Sequence, residues 1–350
     1  MTRYGKTTMR VAMWYHNRDV RVEKMPVPEI GAGELLVRVE ACGICGSDVM
    51  EWYRRDRAPL VLGHEIGGQV VAVGEGVEAY REGDRITAAH HVPCNTCHYC
   101  LRGNHTVCEL LRQTNFDPGG LAEYLRLSPI HVERGVFKLP ASASYEEATF
   151  VEPLACVLRG QRLANMQPGS SVLVIGSGAV GLLHVQLALV QGASRVVATD
   201  IIDYRLKAAR RFGAEVALHA DDDLPSRLRQ VNQGRLADLV IVSTGAESAI
   251  GQALASVERG GTVLLFAPTA PGVTIPISIN ELFFRNDITL TTSYAGSPAD
   301  YRAALKLIAT GKVPVREMIS HRLSLAEAGL GFQIVAEAKD SIKVIIEPQR

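Results

Sequence analysis

Ser171-Val-Leu-Val-Ile-Gly-Ser-Gly-Ala-Val-Gly181 decides the fold. The run Ser171–Ile175 is short and β-branched, as a buried strand requires. Gly176-x-Gly178-x-x-Gly181 follows at once and opens an apolar, helix-length segment, Ala179–Gln191. Alone the glycine pattern is weak. Between a strand and a helix it reads as a dinucleotide fingerprint. Gly176 permits the tight turn, Gly178 lets backbone approach a pyrophosphate, and Gly181 allows close helix–strand packing. The helix start, with Ala179 and Val180 in its first turn, then presents N–H groups and the positive dipole end to phosphate. Asp200 lies 19 residues beyond Gly181, at the end of the next strand-like run. Its carboxylate suits a ribose diol and repels a 2′-phosphate, which favours NAD over NADP; the plainer reading is a helix N-cap. Arg205 reads as a ribose or surface contact, and Thr244 joins the expected coenzyme contacts.

Outward from this stretch the alternation continues. Strand-like runs recur at 195–199, 216–218, 238–242, 261–266 and 288–292, with helical segments at 204–212 and 224–231 between the early ones. This predicts an α/β domain with a doubly wound parallel sheet over residues 156–292. Residues 1–155 read differently. Short runs at 11–15, 34–40, 68–74 and 85–88, separated by glycine, proline and charged turns, predict a compact β-barrel. The tail, 293–350, carries one predicted helix at 300–310 and a strand at 341–346, and is expected to return to the first domain.

The 350 residues carry 37 Lys+Arg and 37 Asp+Glu. That balance argues against a nucleic-acid binder. No apolar run nears the ~18 residues of a membrane span, and residues 1–10 lack the apolar core of a secretory leader. The expectation is a cytoplasmic chain, where disulfides are rare. Its seven cysteines then read as metal ligands, catalytic groups or core filler. Cys94, Cys97, Cys100 and Cys108 stand at C-x2-C-x2-C-x7-C spacing in a polar loop, 94–108. Four thiolates close the tetrahedral shell of zinc, so that ion is structural. His91, His98 and His105 lie nearby and read as solvated loop residues.

A scattered set is less specific: Cys42, Cys45, His64, Glu65 and Glu152. A catalytic zinc keeps three protein ligands and one open position. Spacing does not choose between Cys42 and Cys45. Glu152 sits in the otherwise apolar Phe150–Cys156, where a carboxylate needs a partner and a metal would be one.

Gly43-Ile-Cys-Gly-Ser-Asp48, Gly63-His-Glu65, the four-cysteine loop, Val151-Glu-Pro-Leu154 and the glycine fingerprint occur in this order. Together they resemble the zinc-dependent medium-chain dehydrogenases, sorbitol and threonine dehydrogenase-like branch. The resemblance implies a GroES-like catalytic domain, a Rossmann coenzyme domain and a site in the cleft between them. It makes Cys45, His64 and Glu152 the ligands of a catalytic zinc, the second of two zinc ions per chain, and lets Glu65 approach that zinc. It leaves Cys42 and Cys156 as buried residues. Ser47 becomes the hydroxyl that takes the proton of the alcohol as hydride leaves for NAD, and Asp48 the carboxylate that orients His64. The implied substrate is a polyol, sugar or cyclitol, and the usual assemblies are dimers and tetramers. Two departures stand out. Met50 replaces the relay histidine, and Glu51-Trp52 replaces Tyr-Trp at the start of a charged segment with Arg54, Arg55, Asp56 and Arg57. That segment is either a solvated loop or a selector for a polar substrate. The competing readings are a hydroxy amino acid dehydrogenase, with Glu51 facing the amine, and a non-catalytic NAD-binding zinc protein.

Overall fold

The computed structural model describes residues 7–220 and 223–350, so the leader reading lies partly outside the described residues. Residues 156–294 form one compact unit; residues up to 155 and from 295 onward form another.

The first of these is a six-stranded parallel sheet. Its spatial order is Val216–His219, Arg195–Asp200, Ser171–Ile175, Ala237–Val242, Val257–Leu265, Thr289–Thr292. Strand order reverses between Ser171–Ile175 and Ala237–Val242. Ligands of open α/β sheets bind at such a switch point, beyond the carboxyl ends of the strands. Every residue of Ser171–Ile175 is buried, and so is the run Gly181–Ala188 of the helix Ala179–Val190. Sequence reading passed over the helix Glu247–Ser256, whose small side chains give little apolar contrast.

His184 sits in that buried helix. Its Nδ1 accepts from Gln161 Nε2 at 3.2 Å, and its ring meets Phe266 edge-on at 4.6 Å. Burial pulls its pKa down to about 3. Below the ordinary value of about 6.5 the unfolded chain binds a proton that the folded unit refuses, so stability falls as the pH falls. Denaturant unfolding between pH 6.5 and 4 should show His184→Gln losing about 1.4 kcal/mol less per pH unit than the parent. Equal slopes would show that His184 protonates without cost.

The other unit is β-rich. A three-stranded sheet orders Asp19–Pro26, Thr8–His16 and Leu60–Val61. A larger sheet orders Ile319–Ser324, Lys343–Glu347, Leu35–Gly43, Glu65–Val73, Arg85–Ala88 and Val136–Lys138, with Tyr124–Leu127 also on Leu35–Gly43. Trp14, Leu35, Val39, Ile86, Phe332 and Val344 lie in the shared core. The tail holds two helices, Pro298–Ala309 and Ala328–Glu337, where the sequence suggested one. Gly329 and Gly331 blur the second one's helical signal. Among the described residues no helix is long and apolar enough to cross a membrane.

Register places the chemistry. Gly43 pairs Glu65 on one side and Ile345 on the other. The exit of one strand therefore adjoins the entry of the next, and Cys45 meets His64 and Glu65. Lys343, two residues before Ile345, projects to the same face as that position.

Candidate active site and metal centres

Cys94, Cys97, Cys100 and Cys108 bring their sulfurs within 4.8 Å of one another. Cys94 Sγ stands 3.9 Å from Cys100 Sγ and 3.6 Å from Cys108 Sγ. A tetrahedron with metal–sulfur bonds of about 2.3 Å has edges of about 3.8 Å, so the pocket fits zinc. N–H groups of Thr96 and Cys97 point at Cys94 Sγ and hold that thiol well below its usual range. All seven cysteines are free.

The second cluster joins Cys45, His64 and Glu65, again within 4.8 Å. Glu152 stands outside this group. It is buried, and its charge faces Lys343. Among the predicted ligands, geometry thus gathers Glu65 rather than Glu152. Cys42, by contrast, is fully buried in the core beneath Gly63, and burial pushes its thiol well up. Asp48 is also fully buried. Its Oδ2 accepts from Cys45 N at 3.1 Å, and its Oδ1 lies 3.4 Å from His64 Nδ1 and 3.5 Å from Arg54 Nη2. Burial opposes its charge, but His64 and Arg54 outweigh that and hold Asp48 below the usual carboxylate range. Burial likewise opposes the imidazolium of His64, yet Asp48 and Cys45 raise it well above the ordinary value. With Nδ1 turned to Asp48, Nε2 is the nitrogen left for a metal in the Cys45, His64 and Glu65 cluster. Ser47 Oγ lies 3.4 Å from Cys45 Sγ.

Lys343, which sequence reading missed, is 3% exposed and forms an ion pair with Glu65. A Cβ on Gly43 would lie 2.3 Å from Glu65 Oε2 and 2.6 Å from Lys343 Cε, so glycine makes room for the pair. Asp48, Glu65 and Glu152 thus share this site with Arg54 and Lys343. The S, N and O donors of Cys45, His64 and Glu65 suit zinc.

His90 packs at a tilt against His64, centroids 4.6 Å apart, and against His91, 3.9 Å apart. His91 Nδ1 meets Thr114 O at 2.7 Å, and burial brings its pKa down to about 4. The expectation of a solvated His91 is therefore corrected: Thr114 and His90 hold the ring half-buried. The charged segment is short helix, Glu51–Arg54, then Arg55–Arg57. Glu51 accepts from Asn17 N at 2.9 Å and pairs with Arg55, which ties it to the neighbouring strand turn. Arg55, Asp56 and Arg57 are exposed; Arg54 turns back onto Ser47.

In the other unit, Gly176 takes φ +94°, and a Cβ on Gly181 would sit 1.9 Å from Gly176 O. A Cβ on Gly178 would meet nothing nearer than Arg205 Nη1 at 3.9 Å, which leaves the helix start open. No side chain caps that start. Asp200 accepts from Ser177 N at 2.8 Å and Ile202 N at 3.0 Å. Arg205 Nη1 lies 4.0 Å from Asp200, and its buried Nε has no partner among the described residues. Ser243 Oγ donates to Gly176 O at 2.6 Å and sets Thr244 beside the turn. Uncapped amides, an acid at the next strand end and a cation with a vacant donor fit a dinucleotide.

Two family models match: the alcohol dehydrogenase GroES-like domain over residues 31–141 and the zinc-binding dehydrogenase over residues 179–310. The chain is 30% identical to sorbitol dehydrogenase of Bacillus subtilis over the full length of both. It is 33% identical to D-xylulose reductase A of Aspergillus oryzae, over 93% of each chain. The solved alcohol dehydrogenase of Thermus sp. ATN1 is 32% identical, with TM-score 0.84 over 97% of this chain and 99% of that one. A zinc-binding dehydrogenase of Sinorhizobium meliloti, solved with NADP, is 30% identical, with TM-score 0.87 over 98% and 100%. These likenesses span both units and meet the motifs and side-chain clusters described above, and the chain belongs to the zinc-dependent medium-chain alcohol dehydrogenase family, with a GroES-like domain and a Rossmann domain.

Proposed function

We propose that this chain is an NAD-dependent zinc dehydrogenase that oxidises a secondary alcohol of a polyol, sugar or cyclitol. The gathering of Cys45, His64 and Glu65 beside the Ser47 hydroxyl carries the reading. The sorbitol dehydrogenase and xylulose reductase relatives supply the substrate class.

When bound, zinc would polarise the substrate oxygen and the nicotinamide would accept hydride. The chain's own groups do the rest. Cys45, His64 and Glu65 hold the metal, with Lys343 paired to Glu65 and the charge of Glu152 facing Lys343. Asp48 fixes the tautomer and direction of His64. Ser47 Oγ accepts the hydrogen bond of the substrate hydroxyl, a role it can fill only if its orientation is fixed. The open helix start at Gly178 and the Arg205 guanidinium bind the coenzyme phosphates and ribose. Asp200, a buried carboxylate at the strand end, disfavours the extra phosphate of NADP. Two zinc ions per chain, an assembly of two or four copies and a cytoplasmic site complete the reading. Glu51 is engaged by Asn17 and Arg55, so no carboxylate is presented there for a substrate amine.

The test follows NADH formation by absorbance across polyols, sugars, cyclitols and hydroxy amino acids, with zinc counted in the same preparation. The expected result is turnover of polyols, faster with NAD than NADP, and two zinc ions per chain. Brief chelation should abolish activity while one zinc remains, because the open site exchanges with solvent and the four-cysteine site does not. Full activity with a single zinc, or a preference for hydroxy amino acids, would overturn the proposal.

A further inference from the structure

Neither Met50 nor Glu51 offers a free group that could receive a proton. Met50 ends in a thioether, and Glu51 is already engaged by Asn17 N and Arg55. Arg54, four residues beyond Met50 and on the same helical face, turns back instead. Its Nε donates to Ser47 O at 3.2 Å and its Nη2 to Ser47 Oγ at 3.3 Å. The same Nη2 lies 3.5 Å from Asp48 Oδ1. The guanidinium rests 4.6 Å over the Tyr53 ring, and the side chain is only 13% exposed. A planar fork of fixed donors thus grips one residue by both its backbone and its side-chain oxygen. A lysine ammonium has no such geometry.

We propose that Arg54 is a positioning residue that sets the direction of the Ser47 hydroxyl. A guanidinium donates and never accepts. Ser47 Oγ therefore spends one lone pair on Arg54, and its own hydrogen must point elsewhere. Cys45 Sγ, 3.4 Å away, is the acceptor on the other side. The hydroxyl is held pointing into the ligand cluster, with its second lone pair left to accept a hydrogen bond from the substrate hydroxyl. The same contact bars proton exit through residues 50–54, because a guanidinium has no lone pair to accept the proton. The inference rests on the proposed dehydrogenase reading for its kinetic consequence, but not for the geometry.

A double-mutant cycle between Arg54 and Ser47 tests it. In the parent, Arg54→Met should lower kcat roughly 10- to 100-fold, the size of a lost charge-assisted hydrogen bond, with KM changed less than about threefold. Zinc content and the visible spectrum of the cobalt-substituted protein should stay as in the parent. In a Ser47→Ala background the same substitution should cost less than about threefold, since the group it positions is gone. Arg54→Lys, which keeps the charge and the fold, should recover only part of the loss. The thermal midpoint of the metal-free protein gives a readout independent of turnover. There the two substitutions should be sub-additive by about 2 °C or more. Equal kcat losses in both backgrounds would overturn the positioning role. If the parent turned over none of the alcohols, the dehydrogenase reading would fail on its own, and additive midpoints would then overturn the role of Arg54.

Discussion

Cys45→Ser is expected to empty the open metal site and take activity down by more than the roughly 10- to 100-fold typical of losing a supporting contact. A serine hydroxyl is a poor zinc donor, and the change also removes one of the negative charges that a dication balances. Metal analysis should then find one zinc per chain, held by Cys94, Cys97, Cys100 and Cys108. Cys42→Ser provides the contrast three residues away. Cys42 is fully buried against Gly63; its thiol donates to Gly43 O at 3.6 Å and also meets the Glu65 backbone. A hydroxyl there should cost about 1–3 kcal/mol of stability if it finds no better partner. Both zinc ions and most of the turnover should survive. Loss of the labile zinc from Cys42→Ser with retention in Cys45→Ser would reverse the two roles and remove Ser47 and Asp48 from the site.

Lys343→Met should have the largest effect on stability. The ammonium is buried, paired with Glu65, and its charge also faces Cys45 and Glu152. Burial disfavours the cation, but those anions more than compensate and raise its pKa. Removing one partner of a buried pair typically costs about 3–5 kcal/mol, because the other charge is left without compensation. The metal-free protein should show this in full. The zinc-loaded protein should lose less, since the dication takes over part of the compensation, so the gap between the two unfolding midpoints should widen. Lys343→Arg should restore most of the metal-free stability if it fits beside Gly43. An equal loss with and without metal would mean that Lys343 and the metal do not share Glu65.

The parts legible in the sequence were those written locally. Ser171–Gly181 carries strand, turn and helix in a row, and the four cysteines fall within one loop. Glu65 and Lys343 are 278 residues apart, and no local pattern links them. A signal existed all the same: a lone lysine in Ser341-Ile-Lys-Val-Ile-Ile346 sits in a strand buried on both faces, where a cation needs a carboxylate. Arg54 was hidden differently. It stands among Arg55, Asp56 and Arg57, and composition cannot tell which charge of such a run folds back and which faces water. The strand Asp19–Pro26 was missed because four of its eight residues are exposed and four are charged. It is held by its register on Thr8–His16 rather than by an apolar run.

That separation of 278 residues between Glu65 and Lys343 also has a consequence in time. The whole parallel-sheet unit, Cys156–Tyr294, lies between the two stretches of the β-rich unit. At roughly 5–20 residues per second, a ribosome needs about 15–55 s to travel from one to the other. Cys45, His64 and Glu65 are therefore made early and wait, as a nascent cluster of acids and a thiol, without their ammonium. The intervening unit is continuous in sequence and can fold during that wait. The ion pair that closes the site therefore forms only after the last strand, Lys343–Glu347, has been made.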